Sequence, residues 1–69
     1  MFKELDLVRL KNGDGSVGVS SDEVATIVDV APGPNGTLGY TLEFIDAEGF
    51  TNMDALHKYY TENEIEKVK

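Results

Sequence analysis

The sequence predicts an all-β fold: five short antiparallel strands in one small domain. Two observations carry this. Val24–Val30 and Tyr40–Ile45 alternate at period two and are rich in β-branched and aromatic residues, as half-buried strands are. A Pro/Gly-rich spacer, Ala31–Gly39, separates them, and Asp46-Ala47-Glu48-Gly49 follows as a second turn. A chain of 69 residues has room for one core. A domain of about 60 residues buries only about 60% of its unfolded surface, so such a core is small.

Taken in order, Leu5–Arg9 is the first strand. Leu5, Leu7 and Arg9 lie on one face, and Asp6, Val8 and Leu10 on the other. Helix competes here, because Phe2, Leu5 and Arg9 are also helically spaced. Asn12-Gly13-Asp14-Gly15 stops either element, since both dipeptides favour positive φ. Asn12–Asp22 then reads as a polar loop anchored by Val17 and Val19. In the second strand Val24, Thr26, Val28 and Val30 share a face, and Ala25, Ile27 and Asp29 the other. In the third, Tyr40, Leu42 and Phe44 oppose Thr41, Glu43 and Ile45.

Gly49 suits the left-handed position of the turn that leads to a further strand near Phe50. Within that segment Asp54-Ala55-Leu56-His57 fits a short helix as well. Thr61-Glu62-Asn63-Glu64 is a capping box and predicts one helical turn, followed by a last strand over Ile65–Val68. Five strands with one short helical turn before the last is the layout of a small SH3-like barrel, which limits exposed edges. Its expected core is Leu5, Val8, Val24, Ile27 or Val28, Leu42, Phe44, Leu56 and Ile65.

The segments MFKELDLVRLK, EVATIVDV, YTLEFIDAEG and ENEIEKV together resemble a family of small bacterial proteins known only as a domain of unknown function, DUF4926. The resemblance covers nearly the whole chain through short motifs. Ala25 stands where that family usually has Gly before Thr-Ile-Val, and Asn52–Tyr60 is longer and more polar than the usual strand. The resemblance implies an SH3-like fold and brings no catalytic residues. A related shape occurs in the β-subunit of nitrile hydratase, and fold alone does not carry function.

Composition narrows the chemistry. The formal charge is −7, with 13 acidic and 6 basic side chains. Only Lys3, Arg9 and Lys11 lie close together, so direct nucleic-acid binding is disfavoured. There is no cysteine and hence no disulfide or thiolate metal site. No apolar run approaches the ~20 residues that span a membrane, and the charged start MFKELDLVRLKNG lacks a signal-peptide core. The expected location is the cytoplasm.

His57 is the only histidine and reads as a partly exposed strand or loop residue rather than a metal ligand or acid/base. A calcium loop starting at Asn12 fails where Val17 would replace the invariant glycine. Ser16, Ser20 and Ser21 sit in no nucleophile elbow. Gly33-Pro34-Asn35-Gly36 lacks the ending of a phosphate loop. No enzyme activity and no cofactor is expected.

Surface remains. Tyr59 and Tyr60 are adjacent, so in an extended chain one ring faces out, and Tyr suits interfaces. Asp54, Glu62, Glu64 and Glu66 lie nearby, and Asp22 and Glu23 form a second acidic pair. These eight are the expected partner-binding residues of a small acidic protein-binding module that docks on a protein with a basic surface. The alternative is a small inhibitor, such as an antitoxin, an immunity protein or a phage anti-defence (anti-CRISPR) protein, whose carboxylates occupy a basic nucleic-acid groove. Oligomeric state is open, with Leu5–Arg9 a candidate edge for pairing.

Overall fold

The computed structural model describes residues 1–68. Five strands form one antiparallel sheet: β1 (Leu7–Leu10), β2 (Ala25–Pro32), β3 (Leu38–Glu43), β4 (Tyr60–Thr61) and β5 (Ile65–Lys67), in the order β4-β3-β2-β1-β5. The class is all-β. β4 and β5 are the two edges of the sheet, yet only the 3₁₀ turn Glu62–Glu64 separates them along the chain. That short link forces the sheet to coil. No ladder joins β4 to β5 among the described residues, so the covalent turn brings the edges together.

Local chemistry explains the elements. Thr61 caps the last turn: the Glu64 carboxylate accepts from the Thr61 N–H at 2.8 Å and from its hydroxyl at 3.2 Å. The expected strand after Phe50 does not form. Ile45 and Thr51 make a single bridge around the Asp46–Gly49 turn, and the chain then enters a short helix, α1 (Met53–Leu56). Asn52 decides this. Its side-chain oxygen accepts from the Ala55 N–H at 3.0 Å, and its amide donates to the Val17 carbonyl at 2.8 Å. The Pro/Gly spacer is shorter than expected, because Ala31–Gly39 and Pro32–Leu38 still pair.

The core is Val8, Leu10, Val19, Ala25, Ile27, Tyr40, Leu42, Phe44, Ala55, Tyr60 and Ile65. Three expected core positions need correction, Val24, Leu5 and Leu56, and of Ile27 or Val28 it is Ile27 that is buried. Val24 and Val28 are exposed, because Ala25 and Ile27 take the inward face and the register slips between Ile27 and Asp29. A bulge adds one unpaired residue, here Val28, and reverses the alternation beyond it. Val30 therefore faces the core although Val28 does not. Leu5 is 79% exposed at a left-handed φ of 74°, outside β1. Leu56 is only half-buried, since Ala55 is the inward residue of α1. The first strand is also no edge: β1 lies between β2 and β5.

Candidate docking surface

The sheet has a covered face and an open one. Val8 and Leu10 of β1, Ala25 and Ile27 of β2, and Tyr40 and Leu42 of β3 point inward, with Phe44 continuing that face. Their strand neighbours point outward: Leu7 and Arg9, Val24 and Thr26, Thr41, Glu43 and Ile45. Leu7, Val24, Val28 and Ile45 are exposed. Leu5 is also exposed, and its N–H donates to the Ile27 carbonyl at 2.8 Å.

Tyr59 extends this face to the tip of the β2–β3 hairpin. Gly39 pairs with Thr61 and has the outward parity opposite to Tyr40. A Cβ on Gly39 would stand 3.1–3.3 Å from Tyr59 side-chain atoms, so the ring lies over the outward side of Gly39. Only glycine lets it lie so close. Around the ring, Ala31, Pro32, Pro34 and Leu38 complete an open groove of about 320 Å³. Tyr59 remains 62% exposed and Tyr60 only 2%. One ring out and one in is the expected split, with Tyr60 the buried member.

Tyr60 is instead part of the anchor beneath the surface. Its hydroxyl donates to Asp14 Oδ2 at 2.9 Å, and Lys58 Nζ donates to the same oxygen at 2.5 Å. Ser16 donates to Asp14 Oδ1 from its backbone N–H at 3.1 Å and its hydroxyl at 2.6 Å. The ammonium of Lys58 also stands 5.4 Å from the Tyr60 ring centroid, a cation–π approach. This network ties the Asn12–Asp22 loop to the segment carrying Tyr59. The sequence did not single out Asp14 as a partner of Lys58 and Tyr60, because more than forty residues separate it from them.

Most of the expected acidic residues have local work. Glu62 pairs with the N-terminal amine at 2.9 Å, Glu66 with Arg9 at 2.6 Å, and Glu64 closes the capping box. The Ser20 hydroxyl donates to Asp22 at 2.5 Å, and the Ser20 N–H to Glu23 at 2.8 Å. Asp54 lies exposed in the first turn of α1. The eight residues thus form no single patch: Asp22 and Glu23 sit in the loop before β2, Asp54 on α1, Glu66 on β5 and the others around β4. His57 is exposed at the end of α1. Among the described residues, no three His, Cys, Asp or Glu side chains cluster as metal ligands, and no helix is long and apolar enough to cross a membrane.

The network shapes the response to pH. Lys58, then Ser16 and Tyr60, hold the Asp14 carboxyl far below the usual carboxylate range. Asp22 and Glu62 also lie below their ordinary values, Asp22 chiefly through the Ser20 hydroxyl and Glu62 chiefly through the N-terminal amine. Burial, then the hydrogen bond to Asp14, pushes the Tyr60 hydroxyl well above its ordinary value.

A depressed carboxyl adds stability that is present above its unfolded pKa and lost as pH falls toward the folded one. The raised Tyr60 does the reverse: its contribution is present below the unfolded pKa and lost as pH climbs beyond it. The urea midpoint should hold from about pH 5 to about pH 9, then fall below about pH 4 and above about pH 10. Tyr60→Phe should shrink the alkaline fall and keep the acid one. An undiminished alkaline fall in that variant would place its cause elsewhere.

Comparison with known protein families, with curated proteins and with solved structures finds no match.

Proposed function

We propose that this protein is a non-enzymatic docking module that binds a partner protein through the open face of its sheet. The observation that carries this is the outward side of the sheet, where Leu7, Val24, Val28 and Ile45 are exposed and Tyr59 lies over Gly39. Exposed apolar side chains gathered on one side of a sheet mark interaction sites on soluble domains. Tyr59 supplies a rigid aromatic anchor beside a proline-lined groove, and such anchors carry much of the energy of protein interfaces. The formal charge of −7 favours a basic partner and steers its approach. The resemblance to the small bacterial DUF4926 proteins would fit a domain of this shape and assigns it no reaction.

The docking reading is favoured over a nucleic-acid mimic by where the carboxylates are. A mimic needs a run of uncompensated negative charge. Here Asp14, Glu62 and Glu66 each meet a cation, and Glu64 is held in a cap. Reversing Glu62, Glu64 and Glu66 would therefore disturb the fold along with the surface charge.

A cleaner test is Val28→Thr, Ile45→Thr and Tyr59→Ser combined. The two threonines keep β-propensity and shape, and exposed changes of this kind cost within about ±0.5 kcal/mol each. In pull-downs from native cells, the partner retained by the wild type should be lost by the variant while its circular dichroism is unchanged. Full retention by a folded variant would remove this face from the proposal. Retention that vanishes at ~0.5 M salt for the wild type, with competition by nucleic acid, would instead support the mimic.

A further inference from the structure

We infer that the element this face receives is a single amphipathic helix with basic flanks, supplied by another protein. The inference rests on the docking reading above and adds the shape and charge of the occupant. Four observations lead to it.

The sheet edges are poor templates for an added strand. β4 has two residues and β5 three. The Thr61 N–H is already taken by Glu64. A peptide joining either edge would gain few backbone hydrogen bonds, and those bonds are what give strand addition its affinity. Recognition must therefore use the face.

The apolar face has the dimensions of one helix. It spans β1, β2 and β3, two strand spacings or about 10 Å, close to the diameter of a helix with its side chains. Along β2 it runs from Val24 to Ala31, beside Gly39 and Tyr59. At about 3.3 Å per residue that is about 20 Å, the length of a helix of about 14 residues.

The outward side mixes aliphatic side chains with Thr26 and Thr41, and it carries the carboxylates of Asp29 and Glu43. Leu5, Leu7, Val24, Val28 and Ile45 suit the i, i+3, i+4, i+7 stripe of an amphipathic helix. Asp29 is exposed beside Val28, and Glu43 points outward from β3. Arg9, which points outward from β1, is bound by Glu66. Asp29 and Glu43 stand beside the aliphatic side chains, so Lys or Arg beside the partner's apolar stripe would meet carboxylates.

A second copy is the poorer occupant for the same reason. Each copy carries a formal charge of −7, and a symmetric dimer on this face would bring two acidic surfaces together.

The test is methyl and amide NMR on the full chain with three peptides of about 14 residues. One is a Leu/Lys peptide patterned as an amphipathic helix, one has the same composition scrambled, and one is the Leu/Glu counterpart of the first. The expected result is that only the patterned Leu/Lys peptide shifts the methyls of Leu5, Leu7, Val24, Val28 and Ile45. Val28→Thr with Ile45→Thr should weaken its binding about tenfold.

Equal shifts from the scrambled peptide would show attraction by charge alone and overturn the inference. Shifts that grow with protein concentration, without peptide, would place a second copy on the face and overturn it too. If the patterned peptide shifts nothing while the threonine variant loses the partner captured from cells, the face docks something other than a helix, and this inference falls alone. If the peptide shifts nothing and the variant keeps that partner, the docking reading falls with it.

Discussion

Replacing Gly13 by alanine is expected to lower the unfolding free energy by about 2–5 kcal/mol. A domain of this size seldom holds more than about 3–5 kcal/mol, so the variant should be largely unfolded at room temperature. Two effects add. Gly13 has φ of +65°, a left-handed conformation that strains any residue with a side chain. A Cβ there would stand 2.7 Å from the Val19 carbonyl oxygen and 3.1 Å from the Ser21 nitrogen. Both are backbone atoms, and Val19 is pinned by paired bonds with Asp14 at 2.8 and 3.0 Å.

Two neighbouring glycines separate the effects. Gly18 has φ of +73° with open space around it, so Gly18→Ala should cost only the strain, about 1–2 kcal/mol. Gly15 has neither a positive φ nor a close neighbour, so Gly15→Ala should be neutral or stabilise by up to about 1 kcal/mol. Urea unfolding of the three variants checks the ranking. Equal losses at 13 and 18 would show that the close approach to Val19 contributes nothing.

Truncating Tyr40 should be as damaging. Tyr40→Ala is expected to cost about 3–5 kcal/mol, as aromatic-to-alanine changes in cores do. The ring is fully buried at the centre of β3 and meets Phe2 edge-on, with centroids 5.7 Å apart and planes at 87°. The hydroxyl matters less. It donates to Glu62 at 3.3 Å and accepts from the Phe2 N–H at 3.4 Å, both long bonds. Tyr40→Phe should cost about 0.5–1.5 kcal/mol. Thermal and urea unfolding of both variants would decide the share of ring and hydroxyl; similar losses would assign the effect to the hydroxyl and its link to the amino-terminal residues.

What was legible in the sequence follows the range of the interactions. Tyr40, Leu42 and Phe44 could be read as one inward face because nothing interrupts the alternation of β3. The Thr61–Glu64 cap was legible because its donor and acceptor lie three residues apart. Val24 was misread because Ala25 and Ile27 take the inward parity, and the choice between Ile27 and Val28 stayed open because a run of β-branched residues carries no mark of the bulge that reverses parity at Val28. Leu5 was misread because its left-handed backbone removes it from the strand pattern. The helix at Met53–Leu56 depends on Asn52 reaching both Ala55 and Val17, and only the first of these partners is near in sequence. The link from Asp14 to Tyr60 is longer still. Of the expected docking residues, Tyr59 keeps its place on the open face, while most of the acidic ones proved to have local partners that tertiary folding supplies.

The strand order also sets a schedule for the growing chain. β1 is made early, and its Val8–Leu10 edge is matched only by Ile65–Lys67. At about 5–20 residues per second, synthesis takes several seconds to supply that partner. Through that interval β2 and β3 can pair as a local hairpin, while one side of β1 has backbone donors and acceptors with no strand beside them. Open edges next to apolar side chains invite pairing between chains. A ribosome that stalls before Ile65 would leave a fragment with most of its core residues and no strand to seal it, a natural substrate for chaperones and proteases.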